Sequence, residues 1–388
     1  MFIKTTETDI TETRSSFFRS KRNDTRVRAP AQCAMKGPVA RGGGFPGDDV
    51  GSTPGLVARP LSPDALEAHV QAACDALRSG GTFGVLDLRG HPDAGAAIDT
   101  ILASASDPGA LRAMNLHTLN LEFALNVTDA HVESLAKCGT LVDVNLNATS
   151  EVGDGAVEAL AVFNERTLAS VALYWNVRVT DGSVVRLVQK CGGHALRALN
   201  LSGCKRLTDA TARAIGKHCV RLENLDCTRV SFSDDGVAAV SLAPRMAVTL
   251  RVLNLYAAPA LTSARAFRCL AALENLTWLD LCGAQALTDA ALAEIGDGCP
   301  NLRYLNLSWC LGATDAGVEA VADTCRDLEL LSVHGNRNVT DASVAALAAA
   351  NAGKMHTLDV RGCVSITKFG RDELVAAFPN LRTFAVHA

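Results

Sequence analysis

Leu302-Arg-Tyr-Leu-Asn-Leu-Ser-Trp-Cys310 and Leu196-Arg-Ala-Leu-Asn-Leu-Ser-Gly-Cys204 are two copies of one nine-residue phrase. Its skeleton is a large apolar residue, a second three positions later and a third two after that. Outward from these copies the skeleton recurs as Phe83/Leu86/Leu88, Leu116/Leu119/Leu121, Leu141/Val144/Leu146, Leu168/Val171/Leu173 and Leu222/Leu225/Cys227. It continues as Leu250/Leu253/Leu255, Leu276/Leu279/Leu281, Leu328/Leu331/Val333, Met355/Leu358/Val360 and Leu381/Phe384/Val386. After the first set the spacing stays between 25 and 28 residues. Self-similarity at this period is the mark of a repeat architecture, and length-based domain counting does not apply to it.

Each phrase has the alternation of a short strand with one buried face. A second signal follows in most repeats, as in Val179-Thr180-Asp181, Leu207-Thr208-Asp209, Leu287-Thr288-Asp289 and Val339-Thr340-Asp341. Thr or Asp there suits the free N–H groups and positive end of a helix. A strand, a turn and a helix of this size cannot bury their apolar faces alone, so stacking supplies the core. The expected fold is α/β: a right-handed leucine-rich-repeat solenoid, a horseshoe with parallel strands on the concave face and helices on the convex face. Residues 83–388 form this domain, with twelve strand repeats. Over 61–82, Ser62, Pro63 and the apolar face Leu66, Val70, Ala73 and Leu77 predict a helix that caps the open end.

Residues 1–60 read as a disordered basic tail and linker, too poor in periodic apolar residues to offset their ordering entropy. They carry 10 basic and 6 acidic side chains, against 27 and 35 in the remainder of a chain of net charge −4. Arg14–Arg41 holds eight basic residues and one acid, which makes organelle targeting by residues 1–41 the alternative to a solvated tail. The acidic balance elsewhere argues against a nucleic-acid partner, and no apolar run reaches the length of a membrane span. Thirteen cysteines, an odd number, without an opening apolar run predict reduced thiols in the cytoplasm or nucleus.

No pair of cysteines has the spacing of a zinc ribbon or redox dithiol, and the nine histidines contain no HExxH. Gly42–Gly51 lacks the ending of a phosphate loop. The reading is therefore a non-catalytic, monomeric scaffold with neither cofactor nor metal. Cys282 is set apart from the other cysteines by its outward strand position, which makes it a candidate contact thiol.

If the strand apolars point inward, the residues two, four and six positions after the first of them face the concave surface. The column four positions on is Asn120, Asn145, Asn200, Asp226, Asn254, Asp280, Asn306 and Asp359 in eight of the repeats, and is expected to be a polar ladder. The column two positions on carries Val252, Trp278, Tyr304 and Leu330 in successive repeats, expected as an exposed ridge roughly 15 Å long. Tyr256, Ser308 and His334 flank it, with Tyr174 further back, and Arg361, His334 and His387 add positive character toward the C-terminus. Trp175 and Trp309 sit one position further along, at the strand exit. Exposed aromatic clusters are enriched where partners bind, so these residues are the candidate protein-binding face.

The cysteines fall in register with the repeats. Cys138, Cys219, Cys299 and Cys325 lie three residues before a first strand leucine, and Cys204, Cys310 and Cys363 lie eight after. This resembles the cysteine-containing leucine-rich repeat of F-box/LRR proteins over roughly residues 111–388. The resemblance implies recognition of substrate proteins for an SCF-type cullin ubiquitin ligase, hence ubiquitin-dependent protein catabolism and contact with ligase subunits. An F-box is a helical segment ahead of the repeats, and here only Leu61–Ser79 is helical in pattern. The chain is accordingly more similar to F-box-less relatives of the mitotic-exit antagonist type. Two other readings are an F-box-less regulator of a GTPase pathway, similar to the Ran GTPase activators, and a structural adaptor of a cytoskeletal or axonemal complex.

Overall fold

The computed structural model describes residues 62–105 and 109–385. The expected tail over 1–60 and His387 lie outside them. Twelve three-residue strands run in chain order: β1 (Val85–Asp87), β2 (Thr118–Asn120), β3 (Asp143–Asn145), β4 (Ser170–Ala172), β5 (Ala198–Asn200) and β6 (Asn224–Asp226). They continue with β7 (Val252–Asn254), β8 (Trp278–Asp280), β9 (Tyr304–Asn306), β10 (Leu330–Ser332), β11 (Thr357–Asp359) and β12 (Thr383–Ala385). All belong to one parallel sheet in sequential order. The register keeps the repeat phase, so that Leu253, Leu279, Leu305 and Leu331 pair side by side. A helix crosses over between strands and buries its apolar face against the inner strand residues, as in Asp209–His218 and Asp315–Thr324. Helices are roughly 10 Å wide and strands about 4.8 Å apart, so the stack bends with its strands inside. The architecture is that of an α/β leucine-rich-repeat solenoid.

Helix α1 (Pro63–Ser79) precedes β1. Ser62 accepts the N–H of Ala65, Pro63 occupies the first turn, and Gly80 ends the helix in the left-handed conformation at φ 66°. At the edge of the sheet, the Asp87 N–H donates to His69 Nε2 at 3.0 Å. Burial holds the His69 imidazole below its usual pKa, which favours the neutral ring that such an acceptor requires.

The repeats are joined by hydrogen bonds that the sequence pattern foreshadows only in part. The helix-opening Asp reaches across to the next repeat. Asp154 accepts the Thr180 N–H and hydroxyl, both at 2.7 Å, and Asp315 accepts those of Thr340 at 2.8 and 2.7 Å. Asp181 holds Thr208 and Asp289 holds Thr314 in the same way. Burial alone would raise these carboxyls. The hydrogen bonds overcome it and hold Asp154, Asp181 and Asp315 below the usual carboxylate range. Thr-Asp thus serves as an inter-repeat staple as well as a cap.

A second column does the same on the inside. The thiols of Cys204, Cys310 and Cys363 donate to the carbonyls of Leu173, Leu281 and Val333, each at 3.1 Å. Asn176 and Asn336 replace them in other repeats, donating to Leu146 and Leu307 at 2.9 and 3.0 Å. A small donor is what the position demands, and Cys supplies one while adding apolar bulk. Burial pushes the Cys204 and Cys310 thiols up to about 12, far from a reactive thiolate.

Candidate functional site

The sheet face carries the polar ladder. In nine repeats the Asn or Asp side chain accepts the N–H two residues ahead, from Asp87 with Arg89 to Asp359 with Arg361. Asp interleaved with Asn completes the pairing. Asp226 and Asp280 each have a second oxygen, which accepts Asn254 Nδ2 at 3.2 Å and Asn306 Nδ2 at 2.9 Å. At β4 the position is Ala172, and the Tyr174 N–H turns to Asn147 Oδ1 of the preceding repeat. Burial pushes the Asp280 carboxyl up to about 7, against these hydrogen bonds.

Beside the ladder the four-residue ridge is in register: Val252 pairs with Trp278, Trp278 with Tyr304, and Tyr304 with Leu330. Its expected exposure is corrected. Trp278 and Tyr304 are only 7% and 6% exposed, and their rings stack with centroids 4.4 Å apart at 17°. Parallel strands hold neighbouring rings close to stacking distance, so each ring covers a face of the other. The Trp278 Nε1–H meets no acceptor among the described residues. Val252 and Leu330 are half-buried beside the stack.

The remaining expected contacts divide. Ser308 is buried, bonded to Asn306 Oδ1 and to Ser332 Oγ at 2.7 Å, so its part is structural. Cys282 is buried as well, which corrects its expected exposure. Tyr256 is half-buried with the Arg229 guanidinium 5.7 Å from its ring centre. Arg361 forks onto Asp359 (Nε–Oδ1 2.9 Å), and His334 Nδ1 lies 3.8 Å from the same carboxylate. Tyr174 is exposed at 37%, its ring 5.9 Å from Trp175.

No family model matches the sequence. Among solved structures, one similar to this chain comes from the complex of Rad7 and Elc1 in yeast. It shows 16% identity over 72% of this chain and 85% of the other, with a TM-score of 0.44.

The accessible aromatic surface lies at the turn where the strands leave the sheet. Seven residues after the first strand apolar, φ is positive in each of the first eleven repeats. Gly90, Gly203, Gly283, Gly335 and Gly362 fill the position in five of them, as steric economy dictates. Phe123, Trp175, Arg229 and Trp309 fill it with bulk, at φ 55°, 62°, 56° and 60°. A left-handed backbone costs a residue with a Cβ roughly 1–2 kcal/mol. Trp175 is 38% and Trp309 45% exposed. Each ring lies on the next repeat's glycine: a Cβ on Gly203 or Gly335 would stand 2.5 or 2.7 Å from the tryptophan Cε3. Sequence reasoning placed both tryptophans at the strand exit but gave the weight to the neighbouring column. The Gly/Trp alternation seven residues into the repeat was the available signal. Among the described residues no cluster of His, Cys, Asp or Glu could hold a metal ion, and no helix is long and apolar enough to cross a membrane.

Proposed function

We propose that this chain is a non-catalytic scaffold that binds protein partners along the strand-exit rim and the adjoining concave sheet face. The observation that carries this reading is the placing of Phe123, Trp175 and Trp309 at left-handed positions where glycine costs less. Strained, water-exposed aromatic side chains are retained against stability, and surface of this kind is enriched at binding hot spots. Four of the five exposed aromatic side chains among the described residues, these three and Tyr174, lie at the strand exit. On the sheet face, Val252, Tyr256, Leu330, His334 and Arg361 extend the proposed contact surface, and the Trp278–Tyr304 stack and Ser308 set its shape from beneath.

The finer reading takes the partners as substrates of an SCF-type ubiquitin ligase, with this chain as an F-box-less recognition subunit in the cytoplasm or nucleus. Its support is the cysteine-bearing repeat. Since those cysteines act as inter-repeat donors, their pattern speaks first for the fold. Affinity purification of the intact protein beside a Trp175→Gly/Trp309→Gly variant, with mass spectrometry, tests both levels. Partners lost from the variant support rim binding, and cullin-ligase subunits among the proteins recovered support the finer reading. An unchanged partner list refutes the rim, and a list without ligase subunits removes the degradation reading.

A further inference from the structure

The rim of the fourth to sixth repeats carries a cluster of four cations. Trp175, Tyr174 and Val177 are exposed together at one strand exit. Lys205 of the next repeat places its ammonium 5.2 Å from the Trp175 ring centre, Arg178 and Arg206 follow on these two turns, and Arg229 stands on the third. All four cations are exposed, and among the described residues none forms an ion pair with a carboxylate. Arg178 and Arg206 rest instead on backbone carbonyls, of Glu151 at 3.1 Å and Arg178 at 3.4 Å.

The aspartates of the adjoining helix starts are already engaged, as is Asp226 of the ladder, which accepts the Thr228 N–H and Asn254 Nδ2. Asp154 and Asp181 are the inter-repeat staples described above, and Asp209 accepts the N–H and hydroxyl of Ser233. Arg206 acts on Asp154 only at longer range, as the last of the influences on that carboxyl. The staples thus engage Asp154, Asp181 and Asp209, the exposed Glu151 meets Arg178 through its carbonyl and not in an ion pair, and the four cations face solvent. On the sheet itself Arg197 meets Glu223, Arg303 meets Glu329 and Arg361 meets Asp359, while Arg337, at the position of Lys205 in the tenth repeat, is an exposed rim cation that stands singly.

We infer that this rim binds an acidic peptide segment of a partner protein, with an apolar side chain seated among Tyr174, Trp175 and Val177 and carboxylates facing Arg178, Lys205, Arg206 and Arg229. Charge complementarity carries the choice of occupant. Turns of successive repeats stand about 5 Å apart, so the three turns bearing the cations span about 10 Å, the length of three extended residues. The Trp175 ring, fixed against Gly203, is a preorganised anchor, and ordering it on binding costs little. This inference rests on the partner-binding reading and adds the chemistry of one partner.

The test uses the full chain and three fluorescent probes: a Glu/Asp-rich peptide with one central Leu-Phe pair, its Gln/Asn counterpart, and a single-stranded oligonucleotide of equal charge. Binding is read by anisotropy at two salt concentrations. The acidic peptide should bind in a salt-sensitive way, and its affinity should fall about tenfold with Trp175→Ser and with Lys205→Glu/Arg206→Glu. Trp309→Ser, at the distant rim, should leave it unchanged. The exposed Lys205 and Arg206 keep the charge-reversal variant a sound test if the tryptophan variant melts early. Equal binding of the Gln/Asn peptide, indifference to both variants, or tighter binding of the oligonucleotide would overturn the inference. If the peptide fails while rim variants still lose copurifying partners, only the acidic specificity falls. If neither responds, the partner-binding reading falls with it.

Discussion

Replacing Asp315 by Ala removes one inter-repeat staple without touching the core. The carboxylate accepts the Thr340 N–H at 2.8 Å, the Thr340 hydroxyl at 2.7 Å, the Ser343 N–H at 3.3 Å and the Ser343 hydroxyl. Hydrogen bonds to charged groups contribute about 1.5–3 kcal/mol each, and neutral ones about 1. Asp315 is half-buried, so water re-solvates part of what it leaves, and the donors share one acceptor group. The expected loss is therefore about 2–3 kcal/mol, below the sum of the four bonds. In a solenoid that loss concentrates at one interface. The assay is urea denaturation combined with amide hydrogen exchange, where Thr340 and Ser343 should exchange faster than amides several repeats away. Asp323→Ala, an exposed neighbour paired with Arg326, is the control. A loss below about 0.5 kcal/mol with unchanged Thr340 exchange, or an equal loss from Asp323→Ala, would refute the staple.

Other expectations follow from the same geometry. Leu279→Ala should cost about 2–5 kcal/mol by urea denaturation, because the side chain is fully enclosed. Trp278→Ala should cost about 3–5 kcal/mol, since the ring is buried and stacked on Tyr304, whereas Trp278→Phe should stay within about 1 kcal/mol because it also removes an unpartnered N–H; equal losses from the two would contradict the stack. Stability should peak at mildly acidic pH, read as the urea midpoint from pH 3 to 8. Asp154, Asp181 and Asp315, held below 3.8, contribute stability above that value and lose it as pH falls through their folded pKa values. Asp280, raised from 3.8 to about 7, contributes stability below 3.8 that is lost as pH rises through about 7. A midpoint flat between pH 5 and 8 would contradict the burial of Asp280.

The fold was legible because its signal is repeated: one strand phrase is ambiguous, and twelve in phase are not. The Asn/Asp ladder was legible for the same reason, since parallel register lines up whatever the column holds. What escaped was depth. Trp278 and Tyr304 occupy outward positions by alternation, and alternation carries no measure of how far neighbouring rings bury each other. Asp315 also reads as a cap from its own helix, because its second partner, Thr340, belongs to the next repeat. The rim was half visible: Trp175 and Trp309 stand out in sequence, but only the positive φ shared with Gly203 and Gly335 shows that glycine is the economical residue there.

Photo-crosslinking tests the rim most directly, with a benzophenone side chain placed at position 175, at 309, or at Val248 on the exposed helix Pro244–Thr249. The account predicts discrete adducts of defined mass from 175 or 309 in intact cells and none from 248. Adducts from 248 alone, or the same adducts from all three positions, would contradict it.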